Sequence, residues 1–339
     1  MAEHSSFLDR HHFLLRRLHS LTGIVPIGVF LIAHLTTNSS LAWGKFGSRG
    51  EAKGLGLLEG GVHYFQDEVH WINTQIPHLF LIEVTLWVSI AFHSVLGVLY
   101  AVSGRSNARL YTYRDNWRYT MQRISGYVGI VYIFYHVATL RWGWDFLVPG
   151  GTEWSHHFSA STLAAALRGS TESFTLMGVA VSLLYFLGIT TLVFHFANGL
   201  WTAAITWGLT ITDRAQRRWA YVCGALGVAM MAAGWSALAA ALAVDPAKAA
   251  AVEVEMIEND PAQLEAVRKK YGPDWRDIFV PEPAAADPAP TETAGAGTAA
   301  SQDPAPETPG SAGGDAGGTP ASGGGAARSD ADRASGAGR

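Results

Sequence analysis

Four histidines, His34, His93, His136 and His195, lie well inside four different apolar stretches of the chain. An ionisable side chain in such a stretch is costly to bury, and in a membrane it usually faces the bundle interior. Their depths sort them into pairs. His34 stands four residues before Asn38, ~6 Å from the end of its stretch, and His136 five before Arg141, ~8 Å from the end of its own. His93 follows His78 by fifteen residues, ~22 Å in, and His195 stands thirteen before Gly208, ~20 Å from the opposite end. A b-type haem needs two axial imidazoles at equal depth on facing helices, and a helix-bundle core is where such sites are built. Zinc would call for Cys or carboxylate ligands, and neither pair has them. Two stacked bis-histidine haems fit these residues better. The chain has one cysteine, Cys223, and no C-x-x-C-H, so covalent haem attachment and an internal disulfide are both excluded.

Small residues on a ligand's own helical face, four or seven positions away, make room for a porphyrin. Gly97 lies four after His93 and Gly199 four after His195, while Gly129 lies seven before His136 and Gly188 seven before His195. Gly23, eleven before His34 and nearly on its face, falls ~16 Å inward, about where the second haem is expected. Helix–helix packing by small residues is the competing reading for each glycine. Glu83, six residues into its stretch and ~10 Å from its edge, is the remaining charge expected inside. Desolvation is expected to raise its pKa toward neutrality, which suits proton transfer; a structural carboxylate bonded to a neighbouring helix is the alternative. The other histidines, such as His63, His70, His156 and His157, read as loop residues.

These residues need long helices to position them. The chain has 339 residues, 49% hydrophobic, with a mean hydropathy of +0.14 that hides two unlike parts. Residues 1–244 carry a net charge of +4 and hold nearly all the aromatics; the remainder carries −8 and is rich in Ala, Gly and Pro. Neither balance suggests nucleic-acid binding. Five apolar stretches, roughly 18–38, 77–103, 124–142, 174–208 and 219–243, are long enough to span a bilayer. Pro26 is expected to disturb the first locally. Eleven Arg residues, among them Arg16, Arg17, Arg105, Arg109 and Arg218, fall on one side, and five Lys or Arg on the other. That bias puts the N-terminal segment 1–17 in the cytoplasm and, after five crossings, the segment 244–339 outside. No cleaved signal pattern is read at the start. Segment 244–339 is expected to be mostly disordered, with 261–272 able to form a short surface helix. The expected fold is an all-α membrane protein of five transmembrane helices, the first four forming the haem-binding bundle.

The stretches RRLHSLTGIVPIGVFLIAHL, LIEVTLWVSIAFHSVLGV, QRISGYVGIVYIFYHV and LVFHFANGLWTAAITWGLTIT occur in that order over residues 16–212. They resemble the dihaem cytochrome b anchor of succinate dehydrogenases, a family that includes the quinol:fumarate reductase anchors built as one large membrane subunit. The resemblance covers about residues 10–243 and does not extend to the tail. It implies ligation of the distal, outer haem by His34 and His136 and of the proximal, inner haem by His93 and His195. It also places Glu83 where the family has a helix II glutamate. His19 is not expected to be a ligand; with Arg17 and Arg123 it is implied to meet haem propionates or the iron–sulfur subunit. Implied partners are a flavoprotein and an iron–sulfur subunit on the cytoplasmic face of a bacterial inner membrane, with menaquinone or ubiquinone as the quinone. The chain has no Rossmann G-x-G-x-x-G and no cysteine cluster, so no dicarboxylate chemistry of its own is expected. A haem-free structural anchor and a His/Glu proton-relay transporter are the alternatives, the first leaving four buried imidazoles without partners.

Overall fold

The computed structural model describes residues 10–103 and 114–280. Arg105, Arg109 and the tail beyond residue 280 lie outside the described residues. The first apolar stretch forms α1 (His12–Thr22) and α2 (Val29–Trp43), joined without a break by a π-helical turn at Gly23–Gly28. Pro26 accounts for that turn: it has no N–H to donate and its ring crowds the preceding turn, so the ladder widens locally. The disturbance expected at Pro26 is found there. α3 (Leu57–Gln75), α4 (Leu79–Ser103), α5 (Arg114–Leu140), α6 (Ser159–Arg168), α7 (Leu176–Thr206) and α8 (Asp213–Ala243) follow. Thr175 and Thr212 start the two longest helices by accepting the N–H groups of Gly178 and Ala215 at 3.0 and 3.2 Å.

Among the described residues, four segments are long and apolar enough to cross a membrane: His12–Gly47, Leu79–Ser103, Leu176–Thr206 and Asp213–Ala243. Their exposed surfaces are apolar, as at Val88 and Val228, 64% and 72% exposed, which suits a lipid solvent. α5 has 27 residues, ample length, but its first third is polar. Tyr127, Tyr132, Tyr135 and His136 dilute the rest, so it falls short of the other four in hydropathy. Within the bundle α7 packs against α5 and α8, α2 against α8, and α1 against α4.

Residues 246–279 are helical, more of segment 244–339 than was expected, and they include the short helix expected at 261–272. They form α9 (Pro246–Asn259), α10 (Pro261–Tyr271) and α11 (Trp275–Phe279). Asp245 and Asp260 cap the first two, each accepting two backbone N–H groups ahead of a proline at the first helical position. The apolar faces are buried: Ile257, Val267 and Trp275 pack with Phe158, whose ring stacks on Phe279 at 3.7 Å.

Together with α3 and α6 these helices make a cap whose joints are polar and buried. α6 lacks a side-chain cap of its own, and two side chains from other helices serve its first turn. Gln66 of α3 accepts from the Ser159 N–H at 3.1 Å, and Glu253 of α9 accepts from the Ala160 N–H at 2.7 Å and from the Ser161 hydroxyl. Burial pushes the Glu253 carboxyl from its ordinary 4.5 up to about 8. Between those values the folded cap holds a proton that the unfolded chain releases. The stabilisation is therefore full below pH 4.5 and lost as pH rises through 8. Hydrogen exchange of the α6 and α9 amides is expected to speed up between pH 6 and 9 beyond its intrinsic rise. Glu253→Gln, which stays neutral, is expected to remove that excess; an unchanged excess in the variant would contradict the assignment.

Candidate functional site

Each of the four deep histidines sits on its own helix: His34 on α2, His93 on α4, His136 on α5 and His195 on α7. Helix packing brings them together in two pairs. The ring centres of His34 and His136 are 5.8 Å apart at an interplanar angle of 80°. Those of His93 and His195 are 6.0 Å apart at 81°. A metal bound by both imidazoles at ~2.0 Å, with each ring centre ~1.1 Å behind its nitrogen, requires about 6.2 Å between centres. Both pairs match that spacing. Among the described residues no three His, Cys, Asp or Glu side chains converge as a metal site. Two protein nitrogens at each place suit a group that brings its own equatorial ligands, as a porphyrin does, and not a tetrahedral ion.

The hydrogen bonds at Nδ1 support ligation through Nε2. His93 Nδ1–H donates to the His19 carbonyl at 2.8 Å, and His195 Nδ1–H donates to the Gln122 carbonyl at 3.1 Å. A carbonyl can only accept, so each neutral ring keeps its Nε2 lone pair free. A chain of bonds holds the second ring: Arg118 Nε donates to Asn198 Oδ1, Asn198 Nδ2 to Gln122 Oε1, and Gln122 Nε2 to the His195 carbonyl. The other pair is held more loosely. Its Nδ1 atoms lie 3.4 Å from the Asn38 amide and the Tyr185 hydroxyl, and Phe30 and Tyr132 pack against its rings.

Two glycines face the inner pair directly. A Cβ on Gly23 would stand 2.5 Å from His93 Cε1, and one on Gly126 would stand 3.2 Å from His195 Cε1. Gly23 lies at the depth expected of it; Gly126 was not singled out by its spacing. Of the four glycines predicted to line haem faces, Gly97 adjoins His19 and Gly199 adjoins Gln122, both flanking the inner pair. Gly129 and Gly188 instead receive Leu192 and the Tyr132 ring, as helix packing requires.

His19 stacks on His93 at 4.0 Å and 11°, with Tyr100 edge-on to it at 5.7 Å. Five buried side-chain polar atoms lack a hydrogen-bond partner among the described residues, and Arg17 Nε, His19 Nδ1 and the Tyr100 hydroxyl are three of them. Buried polar groups are rarely left unpaired, so donors gathered at this end of the inner pair suit an anionic group lying there. The residues present thus fit a group that carries carboxylates, as haem does.

Glu83 is bonded to a neighbouring helix, the arrangement given above as the alternative to a desolvated proton-transfer group. Arg141 grips both its oxygens, at 2.8 and 2.9 Å, and the Glu83 side chain is 27% exposed. Trp87 and Trp142 stack beside the pair at 5.5 Å.

Fold and site together define a multi-pass helical membrane protein with paired imidazoles inside its bundle. Over 232 residues the chain is 31% identical to the succinate dehydrogenase cytochrome b558 subunit of Bacillus subtilis (strain 168), covering 67% of this chain and 95% of that relative. The chain belongs to the family of succinate dehydrogenase cytochrome b membrane subunits. No family model matches it, and no solved structure matches it.

Proposed function

We propose that the chain is the membrane-anchor cytochrome b subunit of a succinate dehydrogenase or fumarate reductase complex. It binds two b-type haems and passes electrons between the iron–sulfur subunit and membrane quinone. The observation that carries this reading is the spacing of the two imidazole pairs, 5.8 and 6.0 Å, on four different helices. His34 and His136 hold the outer haem, and His93 and His195 the inner one. Bound there, haem supplies one-electron redox chemistry. The protein's part is to fix the inner rings through Nδ1, exclude water with apolar helix faces, and meet the inner haem's carboxylates with Arg17, His19 and Tyr100.

Packing of the cap supports five crossings. Gln66 joins α3 to α6, and Glu253 joins α6 to α9, so all three lie on one side of the membrane. α4 and α5 separate α3 from α6, so if α4 crosses, α5 must cross back. α7 and α8 likewise return the chain to α9. With the excess of Arg on the opposite side, α1 begins in the cytoplasm, where the flavoprotein and iron–sulfur subunits dock, and the cap is external.

Glu83, near the outer pair, exchanges protons with the quinone, and Arg141 positions its carboxylate. Glu83→Gln in the assembled complex is expected to keep both haem signals and lower succinate:quinone turnover by about 10²-fold or more. Turnover at the wild-type rate would assign Glu83 a purely structural role.

A further inference from the structure

One guanidinium at the external end of the bundle has no carboxylate partner among the described residues and sits at the head of an apolar groove. Arg168, the last residue of α6, donates from Nη2 to the Leu242 carbonyl at 2.9 Å and lies over the Phe174 ring at 5.0 Å. Its Nε is buried without a partner. Phe174 and Leu242 are also the upper walls of a groove of about 330 Å³ between α7 and α8. Its remaining lining is Val179, Ser182, Leu183, Phe186 and Leu238. Ser182 turns its hydroxyl away, donating to the Leu167 carbonyl at 3.0 Å, which leaves the walls apolar.

The length of the groove is informative. Phe174 stands two residues before α7, and Phe186 lies ten residues into it, ~15 Å along the helix, against ~15 Å for one leaflet of a bilayer's hydrocarbon. At its deep end Phe186 stacks on Trp235 at 5.4 Å, closing the floor. A cation at the water-facing end of a leaflet-long apolar channel is complementary to an amphiphile with an anionic head. Arginine is the side chain best suited to a phosphodiester, because its planar fork donates to two oxygens at once.

We propose that this groove is a phospholipid site of the external leaflet, with an acyl chain between α7 and α8 and the phosphate on Arg168. The lipid would tie α6, and through it the cap, to the last two spans, because Arg168 already bonds to α8. This inference does not depend on haem binding.

The test is to purify the full chain and two variants from the same membranes in mild detergent and count retained phospholipid per protein by mass spectrometry. Arg168→Gln removes the charge, and Leu183→Trp, at a lipid-facing wall position 57% exposed, fills the groove. Each is expected to lower retained phospholipid several-fold while gel filtration and helix content stay as in the parent. Arg168→Lys is expected to keep more lipid than Arg168→Gln. Parental occupancy in folded Leu183→Trp would overturn the site, as would loss in Arg168→Gln unrelieved by Arg168→Lys.

Discussion

Alanine at His93 or at His195 is expected to abolish one and the same haem signal, and alanine at His34 or at His136 the other. The prediction follows from which rings face each other. A bis-imidazole iron that loses one axial ligand loses both the bond and the geometry that made the pocket selective, so each substitution is expected to cost the whole occupancy of its site. The remaining site has its own helices and its own Nδ1 partners and should keep its spectrum. The inner pair is anchored by carbonyls at 2.8 and 3.1 Å and the outer pair only by contacts at 3.4 Å. Conservative replacement of Tyr185 by Phe is therefore expected to perturb the outer signal alone. Loss of different haems in His93→Ala and His195→Ala, read by low-temperature difference spectra, would refute the pairing.

Gly23→Val is expected to be nearly as damaging, although Gly23 ligates nothing. The first added carbon would lie 2.5 Å from His93 Cε1 and 2.9 Å from Nδ1, well inside van der Waals contact. The ring cannot yield freely, because Nδ1 is bonded to the His19 carbonyl and its face is stacked on the His19 ring. Relief must come from a rotated imidazole or a displaced α1. Disturbing a ligand's support in this way typically costs 10–100-fold in affinity, so inner-haem affinity should fall at least about tenfold, and its retention on purification with it, while the outer haem persists. Gly224→Val makes the control, since a Cβ there meets nothing within 4 Å. Equal haem content in the Gly23 and Gly224 variants would show that the Gly23 contact does not hold the site.

The histidine pairs were legible in the sequence because depth along a helix is a one-dimensional quantity, 1.5 Å per residue, and needs no knowledge of neighbours. Gly23 was found in the same way. What depth cannot supply is the partner across a helix interface. Arg141 lies 58 residues from Glu83, and nothing in the local pattern marks the two as a pair. Gln122 and Asn198 stand in the quoted motifs, yet their role in holding His195 depends on the facing of α5 and α7. The stretch 124–142 reads as a span in the sequence, but the tyrosines and the polar first third of α5 leave it short of the other four helices in hydropathy. The C-terminal helices had a readable signal that bulk composition masked. Asp245-Pro246 and Asp260-Pro261 are each a cap residue followed by a proline at the first helical position. The helix at 261–272 was expected, but averaging the rest of 244–339 as one Ala-, Gly- and Pro-rich segment concealed the helices on either side of it, and with them Trp275, 2% exposed.

The central claim, two b-type haems held by two imidazole pairs, is tested most directly by haem extraction and a reduced-minus-oxidised spectrum of the purified chain. The expected result is two haems per chain and b-type bands that titrate as two components. One haem per chain, or no b-type bands, would contradict the account.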